Sequence, residues 1–216
     1  MTPTKPHSLW ILTSPVGRAI AAASALLLIG TGIWWAATDP APDDTITIPS
    51  KVCNNYISGQ AVAPLLPTTG KKFEERAPSF RVTRMVGHCT LKAGGERVSI
   101  SITLFRRMEY PRWRVEAEGI PISLGKAYGY LSDTHAMHLH VPCVVVAKTQ
   151  RLVVKVSSSM TNQEKAASKK GTKPAKTDLK LATLSANVSR ELARNWFRCP
   201  YADELPAGPT KIHWNR

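Results

Sequence analysis

Residues 177–200, TDLKLATLSANVSRELARNWFRCP, decide the fold. Large apolar residues recur there at three- and four-residue intervals and form one helical stripe, made of Leu181, Leu184, Val188, Leu192 and Trp196. Polar residues lie opposite, at Thr183, Asn187, Arg190 and Arg194. Thr177 or Asp178 is expected to cap this helix, and Pro200 to end it. A helix with a single apolar stripe must pack on a second layer.

The sequence before this helix predicts that the second layer is a sheet. Residues 81–92, RVTRMVGHCTLK, and 96–105, ERVSISITLF, alternate as the two strands of a hairpin. Residues 137–147 and 151–157 predict a second hairpin, and the alternating run RWRVEAE at 112–118 predicts a further strand. The predicted fold class is α+β: a mainly antiparallel sheet of about five strands, with the C-terminal amphipathic helix packed on one face.

The segments between these strands carry weaker signals. Ser58 is expected to cap a short helix that ends before Pro67, and residues 67–79 are expected to form a loop. Residues 119–133 contain Pro121, Gly125 and Gly129, so an irregular segment is expected there.

The N-terminal region predicts a membrane anchor. Residues 19–38, AIAAASALLLIGTGIWWAAT, contain no charge and are long enough to cross a hydrocarbon core of about 30 Å. A cleaved signal peptide is the alternative, and the bulky Trp34 and Trp35 near its cut site disfavour it. Basic residues without acids before the span predict a cytoplasmic N-terminus. The chain then divides into a tail (1–18), a transmembrane anchor (19–38), a stalk (39–51) and an extracytoplasmic domain (52–216).

The charge of the outer part bears on its partners. The chain has a formal net charge of +14, and 27 of its 29 basic residues and all 15 acidic residues follow Thr38. A surface this basic attracts anions. Outside the membrane these are anionic wall polymer or lipid head groups, so no nucleic-acid partner is expected.

The four cysteines all follow the apolar segment. An even number of cysteines outside the membrane predicts two disulfides, with three possible connectivities. The shortest spacing is 36 residues, which does not match a zinc site. Cys199 continues the apolar stripe of the helix and Cys143 shares the inward parity of its strand, which predicts Cys143–Cys199 and leaves Cys53 to pair with Cys89.

Several segments together resemble a group of uncharacterised streptomycete single-pass envelope proteins. These segments are HVPCVVV (140–146), RLVVKV (151–156) and LATLSANVSRELARNWFRC (181–199). The earlier VCNNYISGQAVAPLLP (52–67) and GHCTL (87–91) are similar to segments of secreted actinobacterial domains, which are also uncharacterised. The resemblance implies an envelope location and paired cysteines, and it implies no activity.

Three histidines are the candidate metal ligands. His135, His138 and His140 form H-x2-H-x-H, and imidazoles two apart on a strand share one face. Strand parity places His138 and His140 on the outward, solvated side, and only Asp133 lies near them in sequence as an acidic ligand. No metal and no cofactor are therefore predicted.

No catalytic motif is expected to act. Ser123 and Lys126 match the S-x-x-K of penicillin-interacting enzymes, but Pro121 and Gly125 disfavour the helix that this motif requires. No G-x-S-x-G, H-E-x-x-H or phosphate-binding glycine loop is present.

Two basic segments are candidate ligand-binding sites. The first interleaves cations and an indole, at Arg106, Arg107, Arg112, Trp113 and Arg114. The second is a predicted mobile basic loop, 161–177, with Lys165, Lys169, Lys170, Lys173 and Lys176. The alternatives are arginines that stack on the hairpin's own rings and a solvated linker.

These features predict a non-enzymatic, membrane-anchored binding domain of the cell envelope that contacts anionic wall polymer or lipid head groups. An accessory subunit of a membrane protein complex is the alternative. A wall-directed hydrolase or a metal-dependent enzyme is a third hypothesis, for which the sequence supplies no recognisable ligands.

Overall fold

The computed structural model describes residues 45–81, 85–106, 111–145, 148–159 and 174–214. The predicted tail and transmembrane anchor, 1–38, lie outside these ranges. Among the described residues, no helix has the length and apolar character needed to cross a membrane.

A largely antiparallel sheet of eight strands forms the centre of the domain. The strands are β3 (Glu74–Arg76), β4 (Val86–Ala93), β5 (Glu96–Arg106), β6 (Ile120–Leu124), β7 (Ala127–Leu131), β8 (Ala136–Val145), β9 (Lys148–Ser158) and β10 (Lys211–Ile212). Their spatial order is β10-β6-β7-β8-β9-β5-β4-β3, and every neighbouring pair is antiparallel. A separate two-stranded sheet joins β1 (Lys51–Val52) to β2 (Ile57–Ser58).

Within the described ranges, the helices are fewer than the strands, and most of them are short. They are α1 (Gly59–Val62), which a 3-10 turn at Ala63–Leu65 extends, α2 (Arg112–Glu116) and the long helix α3 (Lys176–Glu191). Ser58 is the N-cap residue of α1 as predicted, although its side chain makes no capping hydrogen bond. The α+β class is therefore confirmed, with eight strands in the main sheet instead of about five.

The register of the central hairpin places its apolar residues under α3. Strands β8 and β9 pair from Ala136 with Ser157 to Val145 with Lys148, so the predicted turn at 148–150 is already part of β9. Met137, Leu139 and Val141 are fully buried on the inner face, as their alternation predicted.

The apolar stripe of α3 is confirmed over its first four residues. Leu181, Leu184, Val188 and Leu192 are buried, whereas Trp196 is 45% exposed. The reason is a π-helical turn at Leu192–Trp196, because its extra residue per turn rotates the last position off the stripe. The Trp196 ring instead contacts Tyr56 edge-on, with centroids 4.5 Å apart.

The start of α3 differs from the expected cap. The N-cap is Ala175, and the buried Asp178 accepts a hydrogen bond from the Ala175 backbone N–H at 2.9 Å from inside the first turn. The same carboxylate lies 2.9 Å from Nδ1 of His135, so it connects the helix to the start of β8. Burial of a carboxylate between two donors fixes the helix on the sheet.

Both predicted disulfides are confirmed, with the predicted connectivity. Cys53–Cys89 connects the β1–β2 turn to β4, with Cα atoms 5.5 Å apart. Cys143–Cys199 connects β8 to the segment after the π-helical turn, with Cα atoms 4.6 Å apart.

The stretch 112–133 was predicted wrongly. The run expected as a strand at 112–118 forms α2, because Pro111 provides an extended N-cap and Arg112 pairs with Glu116 one turn later. The segment expected to be irregular at 119–133 contains the β6–β7 hairpin. Gly125, at φ +58°, allows its tight turn.

Two further segments contain more structure than expected. Within the predicted stalk, Ile46 and Ile48 pack against the core, and Ile46 N–H donates to the Thr68 carbonyl at 2.7 Å. The predicted loop at 67–79 contains the edge strand β3, which pairs with β4. The folded domain therefore begins by Thr45, where a bridge to Thr69 forms.

Candidate functional site

The two faces of the sheet have different surroundings. Helix α3 packs on β8 and β9 from the inner side, and α1 contacts α3 there. On the outer side α2 lies over β6 and β7. The outward sides of β4, β5, β7, β8 and β9 form what we call the open face.

Carboxylates reach the open face only from its edges, where Glu118 hydrogen-bonds Tyr130 and Glu74 of β3 pairs with Lys92, among the residues that the structure describes. Among the described residues, no outward position of the strands from β4 to β9 holds Asp or Glu. Apart from a few apolar residues, the outward side chains of the open face are His88, Thr90, Lys92, Arg97, Ser99, Ser101, Thr103, Tyr128, Tyr130, His138, His140, Arg151, Lys155 and Ser157. This set contains cations and neutral hydrogen-bond donors, and both interact favourably with anions.

Two tyrosine–histidine pairs occupy the part of this face beside α2. Tyr130 stacks on His138 across β7 and β8, with ring centroids 4.4 Å apart and planes inclined by 13°. The Tyr130 hydroxyl also lies 3.2 Å from Nδ1 of His138. Tyr128 and His140 form the neighbouring pair, with centroids 5.9 Å apart.

His138, His140 and Tyr130 are neutral at physiological pH. Burial, followed by the nearby Lys155 ammonium, lowers the pKa of His138 to about 4, although Glu118 opposes this shift. Burial and then Arg151 lower the pKa of His140 to about 4. Burial, together with a hydrogen bond to Glu118, raises the pKa of Tyr130 to about 12. The positive charge of the face therefore comes from its lysines and arginines.

Cations surround the tyrosine–histidine pairs. The guanidinium carbons of Arg112 and Arg151 lie 5.6 and 5.3 Å from the centroid of the Tyr128 ring. Lys155 is exposed and stands in register between Ser101 of β5 and His138 of β8. Residues with a hydroxyl, an ammonium and an imidazole thus follow one another across three adjacent strands, and neighbouring strands are about 4.8 Å apart.

A serine and a histidine also meet at the far side of this face. His88 Nδ1 lies 2.8 Å from Ser101 Oγ, and His88 Nε2 lies 3.1 Å from Thr90 Oγ1. A catalytic serine–histidine pair needs a group that orients the second imidazole nitrogen, commonly a carboxylate, and here a threonine hydroxyl occupies that position. The arrangement fits hydrogen bonding to a ligand better than nucleophilic catalysis.

The three candidate metal ligands are not brought together. His138 and His140 lie on the open face, half-buried against tyrosines instead of solvated, whereas His135 lies with Asp178 at the start of α3. Within the described ranges no group of three or more metal-binding side chains forms.

The two basic segments are placed only in part. Arg112, Trp113 and Arg114 lie on α2, where Arg112 reaches the open face and Trp113 is 70% exposed. Arg107 and the side chain of Arg106 lie outside what the structure describes, as do four lysines of the predicted basic loop: Lys165, Lys169, Lys170 and Lys173. The fifth, Lys176, is the exposed first residue of α3.

Sequence reasoning missed the central residues of the open face. Tyr128 and Tyr130 flank Gly129, so their two-residue spacing was the available signal for a shared strand face. The chain matches no known protein family, no curated protein and no solved structure. The chemistry of the open face is therefore the basis on which a function can be inferred.

Proposed function

We propose that this chain is a membrane-anchored, extracytoplasmic binding domain of the cell envelope, and that its open face binds phosphate-bearing anions. The ligand classes are anionic wall polymer and lipid head groups. The observation that carries this proposal is the lack of carboxylates at the outward positions of β4–β9, where Lys155 and Arg151 stand among hydroxyls and imidazoles. No carboxylate occupies the positions paired with Lys155 or Arg151, so an anion can approach these two cations without a like charge at the neighbouring strand positions.

The proposed location is supported by the sequence and by the cysteines. Residues 19–38 have the length and composition of a membrane span with a cytoplasmic N-terminus. Both disulfides close in the domain that follows, and such bonds persist mainly in oxidising compartments.

The chemistry of the face fits phosphate groups. Lys155 contributes an ammonium and Arg151 a planar guanidinium, and both form charge-assisted hydrogen bonds with phosphate oxygens. Hydroxyls such as that of Ser101 add donors. Because the sheet is broad and the donors repeat from strand to strand, an extended polymer can contact several at once.

A binding titration tests the proposal. The full chain, reconstituted in phosphatidylcholine nanodiscs, is titrated with soluble poly(glycerol phosphate) and, separately, with phosphatidylglycerol vesicles. Lys155→Gln combined with Arg151→Gln should weaken binding about 30-fold, since each cation contributes about 1 kcal/mol near an anionic surface. Lys71→Gln combined with Lys72→Gln removes the same charge from an exposed loop and is the matched control.

The salt dependence and the two probes decide the outcome. Binding should weaken strongly between about 0.1 and about 1 M salt, as the Debye length falls from ~10 to ~3 Å. Preference for the polymer or for the vesicles identifies the ligand class. Equal losses in the two double variants, or no binding to either probe, would contradict the proposal. A single stoichiometric protein partner retained at high salt would favour the accessory-subunit hypothesis instead.

A further inference from the structure

A cleft separate from the proposed anion-binding positions lies beside α2. Its volume is about 380 Å³, at the lower end of the ~300–1,000 Å³ of small-molecule sites. It lies between α2, the start of β6 and the residues that follow β10, and its lining includes Trp113, Glu116, Ile120, Pro121, His213 and Trp214.

One wall of the cleft is an indole that the fold does not bury. Trp113 is 70% exposed, although α2 is held in place by the buried Val115 and by the Arg112–Glu116 pair. A large ring left in water on an anchored helix offers a flat apolar surface to a ligand. Trp214, on the other side, packs partly against the core.

The polar groups of the cleft are positioned by their neighbours. The Glu116 carboxylate is only 9% exposed, and Oε1 accepts a hydrogen bond from Arg112 Nε at 2.7 Å. The His213 ring lies 2.8 Å from the Ser123 hydroxyl through Nε2. The Trp214 indole N–H is buried away from solvent and has no acceptor among the described residues, so it is not a donor available to a ligand in the cleft.

We propose that this cleft binds a neutral saccharide unit. A pyranose ring has an apolar C–H face, which would stack on Trp113, and hydroxyls at its edge. One hydroxyl would donate to the Glu116 carboxylate, whose Oε1 also accepts the hydrogen bond from Arg112 Nε. The size of the cleft fits one or two sugar rings with their remaining residues in solvent.

A proline-rich peptide is the competing ligand, because such peptides also bind aromatic-lined grooves. Polyproline carries carbonyl acceptors and no backbone N–H, so it has no donor for the Glu116 carboxylate. A sugar hydroxyl supplies such a donor.

The test uses the full chain in phosphatidylcholine nanodiscs, titrated calorimetrically with neutral tetrasaccharides, including β-1,4-linked N-acetylglucosamine, and with a proline-rich decapeptide. At least one saccharide should bind with a Kd of about 1 mM or lower. Trp113→Ala should weaken binding about tenfold, because it removes the exposed ring on which the sugar would stack. Trp196→Ala, at an exposed indole outside the cleft, is the matched control and should change little.

The outcomes are independent of the anion-binding proposal. Lys155→Gln should leave saccharide binding unchanged, and Trp113→Ala should leave binding of poly(glycerol phosphate) unchanged. The saccharide assignment fails if no neutral sugar binds with a Kd below about 10 mM. It also fails if Trp113→Ala and Trp196→Ala behave alike, or if the decapeptide binds and the sugars do not.

Discussion

Acidification should destabilise the domain through the two tyrosine–histidine pairs. In the folded protein the pKa values of His138 and His140 are about 4, whereas the value of an unfolded histidine is about 6.5. Between these values the unfolded chain binds more protons than the folded one. The free energy of unfolding is therefore highest above about pH 6.5 and falls as the pH drops through the window towards 4.

The magnitude follows from the size of the two shifts. For one fully buried imidazole, lowering the pKa from about 6.5 to about 4 corresponds to about 3.4 kcal/mol of unfolding free energy, which is lost once the pH is below 4. Both imidazoles are only half-buried, so solvent screening reduces this figure. We expect the pair to lower the free energy of unfolding by about 2 kcal/mol between about pH 7.5 and about pH 5. Besides burial, Lys155 lowers the pKa of His138 and Arg151 lowers that of His140, whereas Glu118 raises the pKa of His138.

Urea unfolding across this pH range provides the measurement. The double variant His138→Gln with His140→Gln cannot take up protons at these positions, so its free energy of unfolding should fall about 2 kcal/mol less on acidification. Carboxylates titrate in both proteins and cancel in the comparison. Identical pH dependences of the wild type and the double variant would refute the assigned pKa values and the burial that causes them.

Three further predictions concern the Cys143–Cys199 disulfide, the start of α3 and the cellular location of the domain. Replacing Cys143 and Cys199 by alanine should lower the free energy of unfolding by about 4 kcal/mol, because the bridge spans 56 residues; a loss below about 1 kcal/mol in urea unfolding would contradict this. Asp178→Ala should cost about 3 kcal/mol in the same assay, since it leaves two partly buried donors without their acceptor, whereas Asp203→Ala, in an exposed ion pair, should cost less than about 0.5 kcal/mol. A reporter fused after Arg216 should be extracytoplasmic and membrane-bound at full length; release of the intact domain into the medium would indicate a cleaved signal peptide.

The long, strongly patterned elements could be predicted from the sequence. In β8 the alternation of large apolar residues correctly predicted the inward parity of Cys143. The connectivity was also predicted correctly, although Cys199 follows the π-helical turn and does not continue the stripe of α3, so that part of the reasoning was wrong. The same reasoning failed at Trp196, because a π-helical turn changes the period within one turn of the helix.

The short elements could not be predicted in this way. Five residues of α2 are too few for a helical period to differ from strand alternation. Gly125 and Gly129 suggested an irregular segment, yet the first permits the β6–β7 turn. A Cβ at Gly129 would lie 1.7 Å from the His138 carbonyl oxygen, so the close pairing of β7 with β8 requires glycine there.

The candidate site was missed because it depends on strand order. Tyr130, His138, Lys155 and Ser101 come from four strands, and only the pairing of β7 with β8, β8 with β9 and β9 with β5 places them side by side. Periodicity gives the face on which a residue lies, but it does not give the neighbour across the sheet. Of the candidate residues that the sequence suggested, His138, His140 and Arg112 reach this site.

Lysine footprinting tests the central claim most directly. The full chain in phosphatidylcholine nanodiscs is briefly acetylated with and without inorganic polyphosphate, and the modification of each lysine is quantified by mass spectrometry. An open face that binds anions predicts that polyphosphate slows the acetylation of Lys155 severalfold at low salt while Lys71 and Lys72 react at unchanged rates. Unchanged labelling of Lys155, or equal protection of all three lysines, would contradict the claim that this face is the binding site.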